Sequence, residues 1–275
     1  MNVNGDSLEY AERGSGEPLV FVHGSASDYR TWQLQQDAFA AHFRTIAYSR
    51  RYHWPNRPVP DGVDYSMLQH VEDLEKVVHS LDAGPAHLVG HSYGALLCLL
   101  LVLREPHLAR SLVLAEPPAI TLFVSSNPRP LELLTVLVTR PRTAAAIIRF
   151  GAAGAAPAQR AFRRGEMESG LRIFGEAVFG RGGYDRLREG RKAQVRDNLS
   201  NVKAELLGSG FAPLDPKQVR AIKTPVLLMT GERSVSLFHH LIDRLQELLP
   251  HAKRIEIEGA SHISRANDDS RCYSV

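Results

Sequence analysis

Short apolar segments alternate along the chain with longer segments that have helical periodicity. The apolar segments are four or five residues long and end at glycine or at polar residues. This pattern is typical of strands that are buried on both faces of a parallel sheet. The segments are Leu19–Val22, Thr45–Tyr48, His87–Gly90, Leu112–Ala115 and Val226–Thr230. Because strands and helices alternate, the sequence predicts a doubly wound α/β fold.

Three segments between or after these strands predict helices of the core. Tyr65–Leu81 repeats apolar residues at a spacing of three and four, which indicates an amphipathic helix. Ser92–Arg104 is apolar on nearly all sides, so we expect a buried helix there. Ser236–Leu249 is amphipathic and stops before Pro250, a residue that ends helices. One further strand is predicted at Arg254–Glu258.

The segment 120–215 differs from the rest of the chain because it holds helical patterns and no convincing strand. Helices are predicted at Leu131–Arg140 and Thr143–Phe150. We therefore interpret residues 1–119 and 216–275 as the core domain and residues 120–215 as a helical cap. Open α/β sheets bind ligands at the carboxyl ends of their strands. A cap in this position is expected to cover the ligand site.

Composition and charge exclude several classes of partner. The net charge of +3 comes without a basic stripe, so no nucleic-acid binding is predicted. The arginine-rich stretch Arg181–Lys192 contains acidic residues and is expected to be a solvated face. Met1–Ser7 is polar, and the chain has no apolar run long enough to span a bilayer. We therefore expect a cytoplasmic protein without membrane contact; the sequence does not indicate an oligomeric state.

The segment Gly90–Gly94, with the sequence GHSYG, carries the clearest chemical signal. It follows a predicted strand and begins a predicted helix, which is the context of a nucleophile elbow. The turn between the two elements is so tight that side chains at the two glycine positions would clash. Such a turn holds Ser92 with its hydroxyl exposed above the sheet. Ser92 is therefore the candidate nucleophile.

Together with three other motifs, this segment resembles the α/β-hydrolase superfamily, from about Glu9 to His262. The other motifs are Gly14–Pro18 (GSGEP) leading into LVFVHG, Thr224–Gly231 (TPVLLMTG) and Gly259–His262 (GASH). The resemblance implies an α/β-hydrolase fold, with a mostly parallel sheet, helices on both faces and a helical cap insertion. It also implies an oxyanion hole formed by the backbone N–H groups of Ser25 and Tyr93. His23 is then a scaffold residue.

A serine hydroxyl needs a base that removes its proton. His262 follows the last predicted strand and a Gly-Ala-Ser turn, the place where similar proteins carry their base. The acid has two candidates. Similar proteins often carry an aspartate in the loop after the penultimate strand, but here Ser234 stands at that place and Glu232 lies nearby. Glu116, which ends the strand after the nucleophile helix, is favoured over Glu232 because that strand should neighbour the strand of Ser92.

Two further departures from the family concern the substrate and the end of the chain. In the segment after the second strand, Arg50 could bind a substrate carboxylate or carbonyl, and Trp54 could line an aromatic pocket. The alternative, that the arginine ties down the loop and Trp54 packs against the cap, is favoured. Only the polar segment Ile263–Val275 follows His262, so the last helix of the family is expected to be missing.

We therefore predict a serine hydrolase that cleaves a carboxylic ester or lactone through Ser92, His262 and Glu116. The partner is a small-molecule substrate, and no metal or cofactor is implied. The same residues would also suit a carbon–carbon bond hydrolase, a perhydrolase or a hydroxynitrile lyase. A hormone-receptor-like protein with slow turnover is the alternative from another class. Fold alone does not decide among these functions.

Overall fold

The computed structural model describes residues 1–60 and 62–262, and the strands and helices of the fold lie in that part of the chain. The strands are β1 (Asn2–Val3), β2 (Asp6–Ser7), β3 (Tyr10–Arg13), β4 (Glu17–Val22), β5 (Phe43–Tyr48), β6 (Ala86–His91), β7 (Ala109–Ala115), β8 (Val226–Gly231) and β9 (Lys253–Ile257). The α-helices are α1 (Gln33–Phe39), α2 (Met67–Ser80), α3 (Tyr93–Arg104), α4 (Pro130–Thr139), α5 (Pro141–Arg149), α6 (Ala156–Arg163), α7 (Met167–Phe179), α8 (Glu189–Asp197), α9 (Leu199–Leu207), α10 (Pro216–Ala221) and α11 (Ser236–Leu248). The prediction about Ile263–Val275 lies outside the described residues.

Within the described residues, seven strands form one sheet in the order β3-β5-β4-β6-β7-β8-β9. The strands from β5 to β9 run parallel, and β3 pairs antiparallel with β5 at the edge. This confirms the predicted mostly parallel α/β sheet. The short antiparallel pair β1–β2 and the edge strand β3 were not predicted, since neither is a continuous apolar run.

Both faces of the sheet are covered. In β4, Val20 and Val22 join the large cluster that contains α2 and α3, whereas Leu19 and Phe21 join a separate cluster with Trp32. Successive side chains of a strand point to opposite faces, so these two clusters lie on opposite sides. Helix α3 is the most deeply buried helix, with residues from Ala95 to Leu99 fully inaccessible, as its apolar sequence predicts.

Residues 120–215, all of which the structure describes, form helices α4 to α9 and contain no strand. A π-helical turn, Phe150–Ala155, continues α5 into α6. Apolar side chains of this insertion form two clusters that each include part of the core: one includes Phe238 of α11, the other Ala26 after β4. The insertion therefore packs against elements at the carboxyl ends of β4 and β8.

The turn from β6 to α3 leaves no room for a side chain at Gly90. A Cβ atom added there would lie 2.5 Å from the Cα of Ala95 and 2.6 Å from its backbone nitrogen. Backbone atoms of a buried helix cannot move away cheaply, so the turn requires glycine. Gly151, in the π-helical turn, would meet nothing within 4 Å.

We expect Gly90→Ala to lower the free energy of unfolding by at least about 2 kcal/mol, because the methyl group overpacks the turn. Gly151→Ala is the matched control. It is expected to leave stability unchanged or raise it by up to about 1 kcal/mol, since alanine is the better helix former. Urea unfolding of both variants measures the difference, and equal stability of the two would contradict the steric argument.

Candidate active site

Ser92 occupies the turn between β6 and α3 in a strained conformation. Its backbone angles are φ 53° and ψ −122°, a region that residues other than glycine rarely adopt and that costs of order 1–3 kcal/mol. The surrounding structure compensates for this strain: the Ser92 N–H donates to the carbonyl of Ala115 at 2.8 Å. The side chain remains partly accessible at the carboxyl end of the sheet.

His262 follows β9 and lies against Ser92. Its Nε2 is 3.0 Å from the Ser92 Oγ. The imidazole stacks on the ring of Phe238 from α11, with ring centres 3.9 Å apart. The carbonyl of His262 accepts a hydrogen bond of 2.7 Å from Nε2 of His91. Stacking and the backbone bond together fix the ring in reach of the serine hydroxyl.

Glu116 lies directly after β7 and is almost fully buried, with an exposed fraction of 3%. One carboxylate oxygen, Oε2, accepts a hydrogen bond of 2.6 Å from Nδ1 of His262. The other, Oε1, accepts from the Thr230 hydroxyl at 2.9 Å and from the Gly231 N–H at 2.8 Å. Because Nδ1 of His262 carries the proton in this arrangement, its Nε2 is free to accept the proton of Ser92.

The hydrogen bonds around Glu116 keep it ionised. Burial alone raises the pKa of this carboxyl, but the hydrogen bond and charge of His262 and the N–H of Gly231 outweigh burial and lower its pKa to about 2. A hydrogen-bonded carboxylate is favoured over the acid in this way. At neutral pH the group facing His262 is therefore negatively charged.

The second candidate acid is in a different place. Glu232 is exposed, and its carboxylate accepts a hydrogen bond of 2.6 Å from the backbone N–H of Gly259. It thereby ties the loop after β8 to the turn that leads to His262. The structure brings Glu116, and not Glu232, to the imidazole of His262.

His91 was not singled out by the sequence as a functional residue. Burial, together with the charge of neighbouring His262, lowers the pKa of His91 to about 3, so its ring is neutral. A neutral ring with its proton on Nε2 donates to the carbonyl of His262. Neither Thr230 nor Phe238 carried a sequence signal either, because a strand threonine and a helix phenylalanine are ordinary core residues.

The two expected oxyanion donors, Ser25 and Tyr93, belong to segments next to Ser92. Tyr93 is the first residue of α3, and the first N–H groups of a helix have no acceptor within it. Ser25 follows Gly24, whose position is so close to the elbow that an added Cβ would lie 3.0 Å from the Cβ of Ser92. The loop that carries Ser25 therefore runs beside the reacting hydroxyl.

Arg50 is buried and has its partners within the protein. Its guanidinium pairs with Glu205 of α9 at 2.8 Å and donates to the carbonyl groups of His23 and Gly24 at 3.2 Å. His23 is fully buried and accepts the N–H of Arg50 on Nε2. These contacts support the loop-tying role and not the predicted contact of Arg50 with substrate. They also agree with His23 as a scaffold residue.

Trp54 lies at the surface with an exposed fraction of 36%. The guanidinium of Arg30 lies over its ring at 3.6 Å from the ring centre, and the ring of Tyr29 stacks at 6.2 Å. Its backbone N–H donates to Asn198 at the junction of α8 and α9. The indole ring therefore packs against Arg30 and Tyr29, which argues against the prediction that Trp54 lines an aromatic pocket.

Two aromatic side chains of the segment 120–215 reach the site. The ring of Phe179 lies 6.2 Å from that of His262, and the ring of Phe211 lies 6.4 Å from that of Tyr93.

Among residues 1–60 and 62–262, no group of three or more histidine, cysteine, aspartate or glutamate side chains could hold a metal ion. No helix in this part of the chain is long and apolar enough to cross a membrane.

Comparison with known proteins gives relatives of the same fold. The chain is 29% identical over 107 residues to (E)-2-((N-methylformamido)methylene)succinate hydrolase of Acinetobacter baylyi, an alignment that covers 39% of this chain and only 40% of that protein. It is 25% identical over 257 residues to 2-(acetamidomethylene)succinate hydrolase of Mesorhizobium japonicum, covering 93% and 85% of the two chains.

Among solved structures, the enol-lactonase from Burkholderia xenovorans superimposes with a TM-score of 0.64 and 21% identity, covering 96% of this chain and 92% of the other. At this identity the likeness concerns the fold. A family model described as the alpha/beta hydrolase family matches residues 19–271, which is most of the chain. The protein therefore belongs to the alpha/beta hydrolase family.

Proposed function

We propose that the protein is a serine hydrolase that cleaves a carboxylic ester or a lactone. The observation that carries the proposal is the continuous hydrogen-bonded chain from the hydroxyl of Ser92 through His262 to Glu116. A nucleophile, a base and an orienting carboxylate in this order are the parts that acyl transfer requires. The hydrolase activity named for the Mesorhizobium relative supports this class of reaction.

In the proposed mechanism, Nε2 of His262 takes the proton of Ser92 as the serine oxygen attacks the substrate carbonyl. The imidazolium that forms is stabilised by the ionised carboxylate of Glu116. Negative charge develops on the former carbonyl oxygen, and the N–H groups of Ser25 and Tyr93 donate to it. Each such donor is worth roughly 3 kcal/mol in related reactions.

The second half of the reaction uses the same groups. His262 gives its proton to the leaving alcohol, and the acyl group remains on Ser92. His262 then removes a proton from water, which attacks the acyl-enzyme and releases the acid. We further propose that helices α4 to α9 act as a cap that limits access to this site. The positions of Phe179 and Phe211 beside the reactive residues support that role.

A carbon–carbon hydrolase would use Arg50 or Arg51 as the carboxylate-binding group, but both are held in buried ion pairs, Arg50 with Glu205 and Arg51 with Asp73. Perhydrolase and hydroxynitrile-lyase chemistry would use the same three residues without a feature that distinguishes them in this protein. A receptor-like function is tested by turnover.

We expect hydrolysis of p-nitrophenyl esters from acetate to decanoate by the wild-type protein. Ser92→Ala should lower kcat/KM by at least about 10³-fold, because the nucleophile is lost. Glu116→Gln should lower kcat by about 10²- to 10⁴-fold, because the amide cannot stabilise the imidazolium. The release of p-nitrophenol in steady-state assays measures both effects.

Glu232→Gln is the matched control for Glu116→Gln and should change kcat by less than about threefold, since the exposed carboxylate only ties a loop. A larger loss for Glu232→Gln than for Glu116→Gln would show that the acid is misassigned. A wild-type protein without turnover, or one no faster than Ser92→Ala, would overturn the esterase proposal and leave a carbon–carbon hydrolase or a receptor-like function.

The lowered pKa of Glu116 predicts a pH-dependent contribution to stability. Its pKa in the folded protein, about 2, is below the ordinary value of 4.5, so its stabilising contribution is present above pH 4.5 and is lost as the pH falls towards 2. We expect the free energy of unfolding to fall more steeply between pH 4.5 and 3 for the wild type than for Glu116→Gln. Urea unfolding at several pH values tests this, and parallel curves would be evidence against an ionised Glu116.

A further inference from the structure

A buried carboxylate organises the contact between the loop after β4 and helix α8. Asp28 is fully buried, and both of its oxygens are occupied. Oδ1 accepts from Nε of Arg30 at 2.9 Å and from the Gln194 amide at 2.8 Å. Oδ2 accepts from Nη2 of Arg30 at 2.8 Å and from the Asn198 amide at 2.8 Å. Arg30 pairs with Asp28 and, through the same Nη2, with Asp197 at 2.7 Å.

A second cation lies beside this pair. Arg191 is on α8, three residues before Gln194, in the stretch that was expected to be a solvated face, and the structure leaves it only partly exposed. Within the described chain its guanidinium donates only through Nη1, to the Oε1 of Gln194 and, at 3.5 Å, to the Oγ of Ser27. Both acceptors are neutral. Among the described residues, no carboxylate lies within ion-pair distance of Arg191.

Arg191 nevertheless stays charged. Burial lowers the pKa of Arg191 to about 10, and the charge of Arg30 contributes to this decrease. The charge of Asp28 acts in the opposite direction and raises the pKa. At neutral pH the group is protonated. Partial withdrawal of a cation from water, without a direct ion pair, is costly. The most direct way to offset that cost is an anion that binds to the remaining N–H groups of the guanidinium.

The position of Arg191 connects this unpaired charge to the reactive residues. Ser27, which accepts from it, belongs to the same loop as Gly24 and Ser25, beside the nucleophile. The charge of Arg191 also lowers the pKa of both His23 and His91, and His91 is the residue before Ser92. An anion bound at Arg191 would therefore lie close to a substrate whose carbonyl is at Ser92.

We propose that Arg191 binds a carboxylate group of the substrate, so that the preferred esters or lactones derive from an acid with a second, ionised carboxyl group. This inference rests on the proposed ester hydrolysis and adds the substrate class. The planar fork of an arginine suits a carboxylate, which can accept two parallel hydrogen bonds from it. The helix that carries Arg191 belongs to the inserted segment, which therefore contributes specificity.

The test compares esters that differ only in the distal charge. Mono-p-nitrophenyl esters of adipic, pimelic and suberic acid are paired with p-nitrophenyl hexanoate, heptanoate and octanoate, and the rate of Ser92→Ala is subtracted. For each pair, the measured quantity is the ratio of kcat/KM for the charged ester to that for the neutral ester. In Arg191→Gln this ratio is expected to fall at least tenfold for one chain length, mainly through KM.

Two further variants separate recognition from a general or structural effect. Arg196→Gln removes the same charge from an exposed position on the same helix and should leave the ratio unchanged. Arg191→Lys keeps the charge and should recover part of the ratio. A ratio in Arg191→Gln within twofold of the wild type at all three lengths overturns the proposal. So does an equal fall in Arg196→Gln, or an equal loss on charged and neutral esters.

A binding measurement decides the question without turnover. Adipate should raise the Tm of Ser92→Ala and should not raise that of the double variant that also carries Arg191→Gln. The same shift in both proteins contradicts a carboxylate site at Arg191. Absence of ester hydrolysis with an Arg191-dependent shift removes only the proposed function. Hydrolysis of neutral esters without any dependence on Arg191 removes only the substrate class.

Discussion

The parallel register of β6, β7 and β8 determines where the reactive side chains can meet. His91 pairs with Ala115, and Ala115 pairs with Met229, so the residues that follow these strands emerge side by side at one edge of the sheet. Ser92 and Glu116 are the next residues after β6 and β7. A slip of register would separate the hydroxyl from the carboxylate, and no adjustment of His262 could bridge them.

Backbone hydrogen bonds and positive φ angles at both positions hold this edge together. The N–H of Ser92 donates to Ala115, and the N–H of Glu116 donates to the carbonyl of Met229. Both residues have φ near 50°, which is unfavourable for a side-chain-bearing residue. Strain at two adjacent strand ends persists only where the surrounding sheet fixes the chain, and such positions often coincide with functional sites. The sheet thus holds Ser92 and Glu116 in fixed positions relative to each other.

The sequence predicted those features that depend on local pattern. Buried strands are recognisable as apolar runs, and the elbow is recognisable by the glycines on both sides of Ser92. Both patterns have a steric cause that lies within a few residues of sequence. The preference for Glu116 over Glu232 also followed from an expected strand neighbour. Contacts made at long range were missed: the hydrogen bond from His91 to the His262 carbonyl joins positions 171 residues apart.

The same limit applies to the contacts of the arginines. Arg50 is neutralised by Glu205, whereas Arg191 has no such partner among the described residues. Which arginine lacks a direct ion pair depends on how α8 and α9 pack against the loop after β4, and the sequence pattern does not contain that information.

The location of Glu116 directly after β7 gives the three proposed catalytic residues an unequal topology. Residues 86–116 form one β-α-β unit, with Ser92 at the end of its first strand and Glu116 at the end of its second. Contacts between neighbouring elements cost little loop entropy, so this pair can assemble with the first part of the sheet. His262 joins it across 146 residues. With Glu116 as the proposed acid, the loop after β8 has to hold the turn before His262 through Glu232 but does not have to supply a carboxylate to the imidazole.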